Sequence, residues 1–95
     1  MWVRLRFVGA YSLATGRRRD AVNVPRGTTI GGLLDRLAAR YGGSFESMVR
    51  DREGGLAGSC RLFFDQEDVS RLGLDAQLRE GSDVSVYFLM GASGG

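Results

Sequence analysis

The chain has 95 residues, 43% of them apolar and 25% charged, which suits one small domain near the low end of what buries its own core and argues against wholesale disorder. Its net charge of +2 is too small to argue for nucleic acid, and all 13 basic residues are arginine. With no lysine, no histidine and a single cysteine, Cys60, the chain accepts no side-chain isopeptide bond and offers no zinc site, no histidine general base and no intramolecular disulfide.

Residues 2–9 alternate in the period of a half-buried strand, with Val3, Leu5 and Phe7 on one side and Trp2, Arg4 and Arg6 on the other. The same arginines interrupt every apolar run before a signal-peptide core can form. Thr15-Gly16-Arg17 predicts a turn, and a second strand follows around residues 20–24 with Val22 and Val24 pointing inward. Pro25-Arg26-Gly27 ends it, because proline donates no ladder hydrogen bond.

A helix is predicted next, capped by Thr28 or Thr29, with Ile30, Leu33, Leu34, Leu37, Ala38 and Tyr41 at helical spacing. Gly31 and Gly32 should weaken its first turn by roughly 1 kcal/mol each relative to alanine. Gly42-Gly43 should stop it. Beyond it, Phe45, Met48 and Val49 suggest a short helical turn and residues 51–55 a loop. The apolar run 60–64 predicts a third strand, and a short extended piece is expected around Val69. Residues 72–78 suggest a compact turn, of which a single 3₁₀ turn is one form. Residues 80–83 predict a tight turn into a last strand, 84–90.

This order predicts an α+β fold in two layers, a mixed four- to five-stranded sheet with one main helix on one face. The first and last strands, both apolar, should lie side by side in the middle, where neither presents an edge. The domain is expected over residues 1–90 and a flexible tail over 91–95. No stretch approaches the roughly 20 apolar residues of a membrane span, so a cytoplasmic protein with no membrane partner is expected.

The tail ends in Gly94-Gly95. Without Cβ atoms, such a segment can thread a narrow channel and lie close to another protein's backbone. A terminal carboxylate, with a pKa of roughly 3.3–3.7, is ionised at neutral pH and a poor electrophile. If it reacts, another enzyme must activate it, most simply as an acyl-adenylate. The end of the chain reads as a substrate rather than an active site.

Alternation puts Trp2, Arg4, Arg6, Arg61, Phe63, Tyr87 and Leu89 on the outer sheet face. Aromatic residues and arginine are enriched at interface centres, so these seven are the candidate partner-binding residues. The mix also suits stacking of single-stranded RNA, but an RNA-recognition signature is missing and the charge is low. Arg17-Arg18-Arg19 reads as a solvated turn, Cys60 as a core thiol rather than a persulfide acceptor, and Asp65, Glu67 and Asp68 as solvated acids rather than a metal site.

Three segments, "TTIGGLLDRLAARYG", "CRLFFDQEDV" and "LREGSDVSVYFLMGASGG", in this order and ending on the diglycine, resemble the ubiquitin-like β-grasp family. The likeness is to its sulfur-carrier branch, the type of the molybdopterin synthase small subunit and the thiamine-biosynthesis sulfur carrier. The chain departs from many relatives in lacking proline before the tail, and its loop between Gly42 and Cys60 is longer than in the shortest members. The resemblance implies a carrier, not an enzyme. Gly95 would supply the carboxylate that a ubiquitin-activating-type adenylating enzyme activates, and Gly94 would permit passage through that enzyme's channel. A sulfur donor protein would convert the adenylate to a thiocarboxylate for cofactor biosynthesis. Molybdopterin or tungstopterin is favoured as the destination, with thiamine or cysteine as other destinations. A molybdopterin synthase large subunit, or a thiazole synthase, is the further partner implied. ATP and magnesium belong to the activating partner, and this chain would bind no cofactor or metal. The alternative reading is a protein modifier conjugated through Gly95 to target lysines.

Overall fold

The alternation of Trp2 to Phe7 makes the first strand, β1 (Trp2–Phe7), with Val3, Leu5 and Phe7 buried. The computed structural model describes residues 1–78 and 84–91. After β1 come α1 (Ala10–Thr15), β2 (Arg19–Asn23), α2 (Ile30–Tyr41), α3 (Gly43–Val49), β3 (Cys60–Phe64), β4 (Glu67–Asp68) and β5 (Val84–Met90). One sheet forms in the order β2-β1-β5-β3-β4. Strands β1 and β5 are parallel and the other pairs antiparallel. The first and last strands therefore lie together inside the sheet, as their apolar character predicts.

The inner face joins the helices in one core. Ile30, Leu33, Leu34 and Leu37 of α2 are buried in the same cluster as Val3, Leu5, Leu62, Val86 and Phe88 of the sheet. Aromatic rings fix the contact between layers: Phe7 meets Tyr41 at 5.5 Å and Phe45 at 5.9 Å, and Phe88 meets Phe45 at 5.7 Å. Such edge and tilted pairs favour the offset geometry that the ring quadrupole prefers.

Several local expectations change. The expected turn after β1 contains α1, anchored by the fully buried Tyr11, and Gly16 caps its end. One buried side chain in six residues leaves too little periodicity to announce a helix. The turn expected at Phe45 is the complete helix α3, and Gly43 belongs to it rather than to the stop of α2. The chain reverses at Gly42 alone, with φ of 93°. The short strand falls at Glu67–Asp68, just before the buried Val69. Residues 72–78 form turns rather than a 3₁₀ helix. The turn expected at 80–83 lies outside the described residues.

Thr29 caps α2, its hydroxyl accepting from the Gly32 amide at 3.0 Å. The neighbouring Gly31 has a steric reason. Its amide donates to the Leu74 carbonyl at 2.9 Å, and a Cβ there would lie 3.3 Å from both the Leu74 Cβ and that carbonyl oxygen. The 74–78 segment thus crosses the start of the helix and takes up its free amides, with Ile30 donating to Ala76 at 2.9 Å. The residue that costs helix propensity makes this crossing possible.

On the other side, α2 is tied to the β2 edge. Asp20 accepts hydrogen bonds from the Tyr41 hydroxyl, from Arg40 at 2.7 Å and from the Ala21 amide at 2.8 Å. Burial alone would raise the Asp20 pKa, but these donors outweigh it and hold the carboxyl below its usual range. Burial, together with the bond to Asp20, pushes the Tyr41 phenol up to about 12. A depressed carboxylate pKa contributes stability above its unfolded value of about 3.9, and that contribution is lost as pH falls through the folded value. Asp20→Asn should accordingly unfold at lower urea than wild type at neutral pH. The gap should shrink as the pH drops below about 4, measured by urea titrations across the acid range.

Candidate functional site

The alternation that buries one face of the sheet leaves the other as a flat surface. Register across the strands places Arg19, Arg6, Tyr87, Phe63 and Asp68 in one unbroken row from β2 to β4. Beside it, Leu89 is directly opposite Arg61. Val8 continues the outward series of β1 and is 48% exposed, its amide donating to the Phe88 carbonyl at 3.0 Å. Phe63, Tyr87 and Leu89 are half-buried, as are Arg6 and Arg61. Register places them at neighbouring positions, so apolar, aromatic and cationic groups share one surface.

This cluster sits where β5 leads into the tail. The Gly91 amide donates to the Ser59 carbonyl at 2.7 Å, the last described tie between the tail and the domain. Arg61 lies directly against Gly91: a Cβ there would meet the Arg61 Nε at 3.0 Å and its Cγ at 3.1 Å. A groove of about 540 Å³ opens at this point, lined by Arg61, Phe63, Asp68, Arg71, Leu89 and Met90. The surface therefore offers apolar, aromatic and cationic groups within reach of the tail root.

Of the seven predicted partner-binding residues, Arg6, Arg61, Phe63, Tyr87 and Leu89 come together here. Arg4 is set back, its Nε donating to the Ser85 hydroxyl at 3.3 Å. Trp2 is 53% exposed but stands at the opposite end of β1. Since β1 runs parallel to β5 with Phe7 beside Phe88, Trp2 is six positions, or about 20 Å, behind Leu89. Gly94 and Gly95 lie outside the described residues.

Sequence reasoning passed over Val8, Met90, Asp68 and Arg71 as neighbours of the tail root. Val8 was readable as the next outward position of β1. Met90 was readable as the residue before the tail, whereas Asp68 and Arg71 depend on strand pairing, which local pattern does not reveal. Arg19, read as part of a solvated turn, opens β2 and joins the row.

Cys60 points into the core and is 1% exposed, and burial pushes its thiol pKa up, as suits a core thiol. Among the described residues no group of three or more possible ligands is placed to hold a metal ion, and no helix is long and apolar enough to cross a membrane. A larger hollow of about 720 Å³ beside α3 is lined by Glu46, Ser47, Arg50, Asp51 and Arg52 and contains none of the predicted site residues.

The family model described as "ThiS family" matches residues 5–88, from β1 to β5. This chain belongs to the ThiS family. That family comprises small ubiquitin-like sulfur carriers and modifiers, which are not themselves enzymes. No curated protein sequence matches the chain. Among solved structures, SAMP1 of Haloferax volcanii is 21% identical, with each chain covered completely and a TM-score of 0.79. Mycobacterium tuberculosis CysO is 25% identical over 95% of this chain and 99% of its own, with a TM-score of 0.71. A chain of the BexX/CysO complex of Amycolatopsis orientalis is 22% identical over 98% and 99%, with a TM-score of 0.69. These likenesses bear out the ubiquitin-like β-grasp fold of this ThiS-family protein.

Proposed function

We propose that this ThiS-family protein is a cytoplasmic sulfur carrier whose Gly95 carboxylate is activated by a partner. Membership of the family over residues 5–88 carries the reading, and the diglycine beyond a central strand gives it a reactive group. A carboxylate oxygen attacks the α-phosphorus of ATP on the partner, and pyrophosphate leaves. The outer sulfur of a persulfide on a sulfur donor protein then attacks the acyl carbon and AMP leaves. A thiol cleaves the resulting acyl disulfide, releasing the thiocarboxylate and forming a disulfide with the donor's sulfur. ATP and magnesium are held by the activating enzyme. The thiocarboxylate next serves cofactor biosynthesis, with a pterin precursor on a molybdopterin synthase large subunit as the first candidate acceptor. A thiazole precursor or a cysteine precursor is the next.

The outer face supports this reading by supplying a docking surface at the tail root. Four residues beyond Gly91 span at most about 14 Å when extended, enough to enter a neighbouring site only if the domain is held against it. Phe63, Tyr87, Leu89 and Arg61 are placed to hold it there. Gly94 fits the approach to the catalytic channel, where a Cβ would add width.

The modifier reading is favoured by the fold likeness to small archaeal modifier protein 1 of Haloferax volcanii and of Methanosarcina acetivorans. It uses the same adenylate and differs in the acceptor, an amine of a target lysine instead of sulfur.

The test is pyrophosphate exchange by the adenylating enzyme of the same host with this protein as substrate. Wild type should support exchange, and Phe63→Ala and Tyr87→Ala should each raise KM by roughly tenfold or more, as interface aromatic truncations do. Their melting transitions should move far less than those of core variants, because both side chains are half-buried on the outer face. Absence of exchange with wild type would contradict the proposal. A collapse of stability in the variants would instead place these rings in the fold.

A further inference from the structure

The outer face has a second half, beyond the aromatic cluster, and its charge pattern is unusual for a resting sheet. Arg6 and Arg19 are directly opposite each other across β1 and β2. Like charges in that relation destabilise a sheet. Arg4 lies one outward position along from Arg6 on β1, and Arg17 and Arg18 lead into β2. Among the described residues no carboxylate comes within ion-pair distance of Arg4, Arg6, Arg18 or Arg19, and Arg17 reaches Asp20 only at 3.6 Å. Asp20 is already engaged by Arg40 and Tyr41. Arg4, Arg6 and Arg19 thus crowd this half of the outer face in a protein whose net charge is only +2, whereas Arg17 turns to Asp20 on the α2 side.

We infer that the β1–β2 half of the outer face docks an acidic segment of a partner protein. Charge complementarity selects this occupant: carboxylates laid across the strands would relieve the Arg6–Arg19 repulsion that the free protein carries. The other edge of the sheet argues against a long polyanion such as RNA. The row that begins at Arg19 ends at the exposed Asp68. A nucleic acid strand spanning the face would meet this carboxylate, whereas a short acidic segment stays over the arginines. The inference rests on the carrier reading only in taking the partner to be a protein.

Titration of the ¹⁵N-labelled protein with an oligoglutamate peptide, read by amide shifts, tests it. Shifts should concentrate on β1 and β2, and affinity should fall as salt rises. Arg6→Gln/Arg19→Gln should weaken binding by roughly tenfold while its melting temperature stays level or rises, since a repulsive pair is removed. A merely structural role for these arginines would lower the melting temperature instead. Absence of peptide binding, unchanged binding by the double variant, or tighter binding of an oligouridylate than of the peptide would each overturn the inference. Pyrophosphate exchange on wild type reports separately on the carrier reading, so the two can fail independently.

Discussion

A variant lacking Gly94 and Gly95 is expected to melt with wild type and to support no detectable pyrophosphate exchange. Every buried apolar residue described lies between Val3 and Phe88, and the last described tie to the tail is the Gly91 amide on Ser59. Removing two residues beyond that tie takes nothing from the core. It does withdraw the carboxylate by about 7 Å and places it on Ser93, whose Cβ adds width where the tail must be thin. Positioning of the reacting atoms is worth several orders of magnitude in rate, and a displacement of this size forfeits it. Thermal denaturation followed by circular dichroism, alongside the exchange assay, checks both halves. A large loss of stability would make the tail structural.

The opposite pattern is expected at Phe88. This ring is fully buried and meets Phe7 at 5.4 Å, Phe45 at 5.7 Å and Tyr11 at 6.2 Å. It joins the sheet, α1 and α3 at one point. Phe88→Ala should cost about 3–5 kcal/mol, combining lost transfer energy with the cavity left behind. That is a large share of the ~5–15 kcal/mol available to a small domain. Activation should therefore fail because the domain unfolds, although tail and outer face are untouched. Urea unfolding measures the cost directly. Tyr87, adjacent in sequence but on the outer face, provides the contrast: its truncation should spare folding and weaken docking. Equal stability losses at the two positions would contradict the division of β5 into a core side and a docking side.

That division was legible in the sequence, because strand alternation alone assigns Phe88 inward and Tyr87 outward. The long helix and a threonine cap at 28 or 29 were legible for the same kind of reason, a strong local period with a side-chain oxygen before it, and the structure selects Thr29. α1 and the full extent of α3 were not, since a six- or seven-residue helix held by one or two buried side chains carries little periodic signal. Gly31 showed only its propensity cost, as its contact with Leu74 arises from a segment forty-three positions away. The site was half legible. Alternation found the outward residues, but only pairing of β1 with β5 reveals that Leu89 neighbours Val8 while Trp2 stands at the far end. The Arg6–Arg19 opposition likewise exists only once the β1–β2 register is fixed.

The carrier reading stands or falls on the chemical state of Gly95. Intact mass of the protein purified from its own host, under non-reducing and amine-free conditions, reads that state directly. The account predicts a population in which one oxygen is replaced by sulfur, localised by fragmentation to Gly95. A free pool with no such replacement, alongside Gly95 joined by an amide to target lysines, would contradict it and establish the modifier.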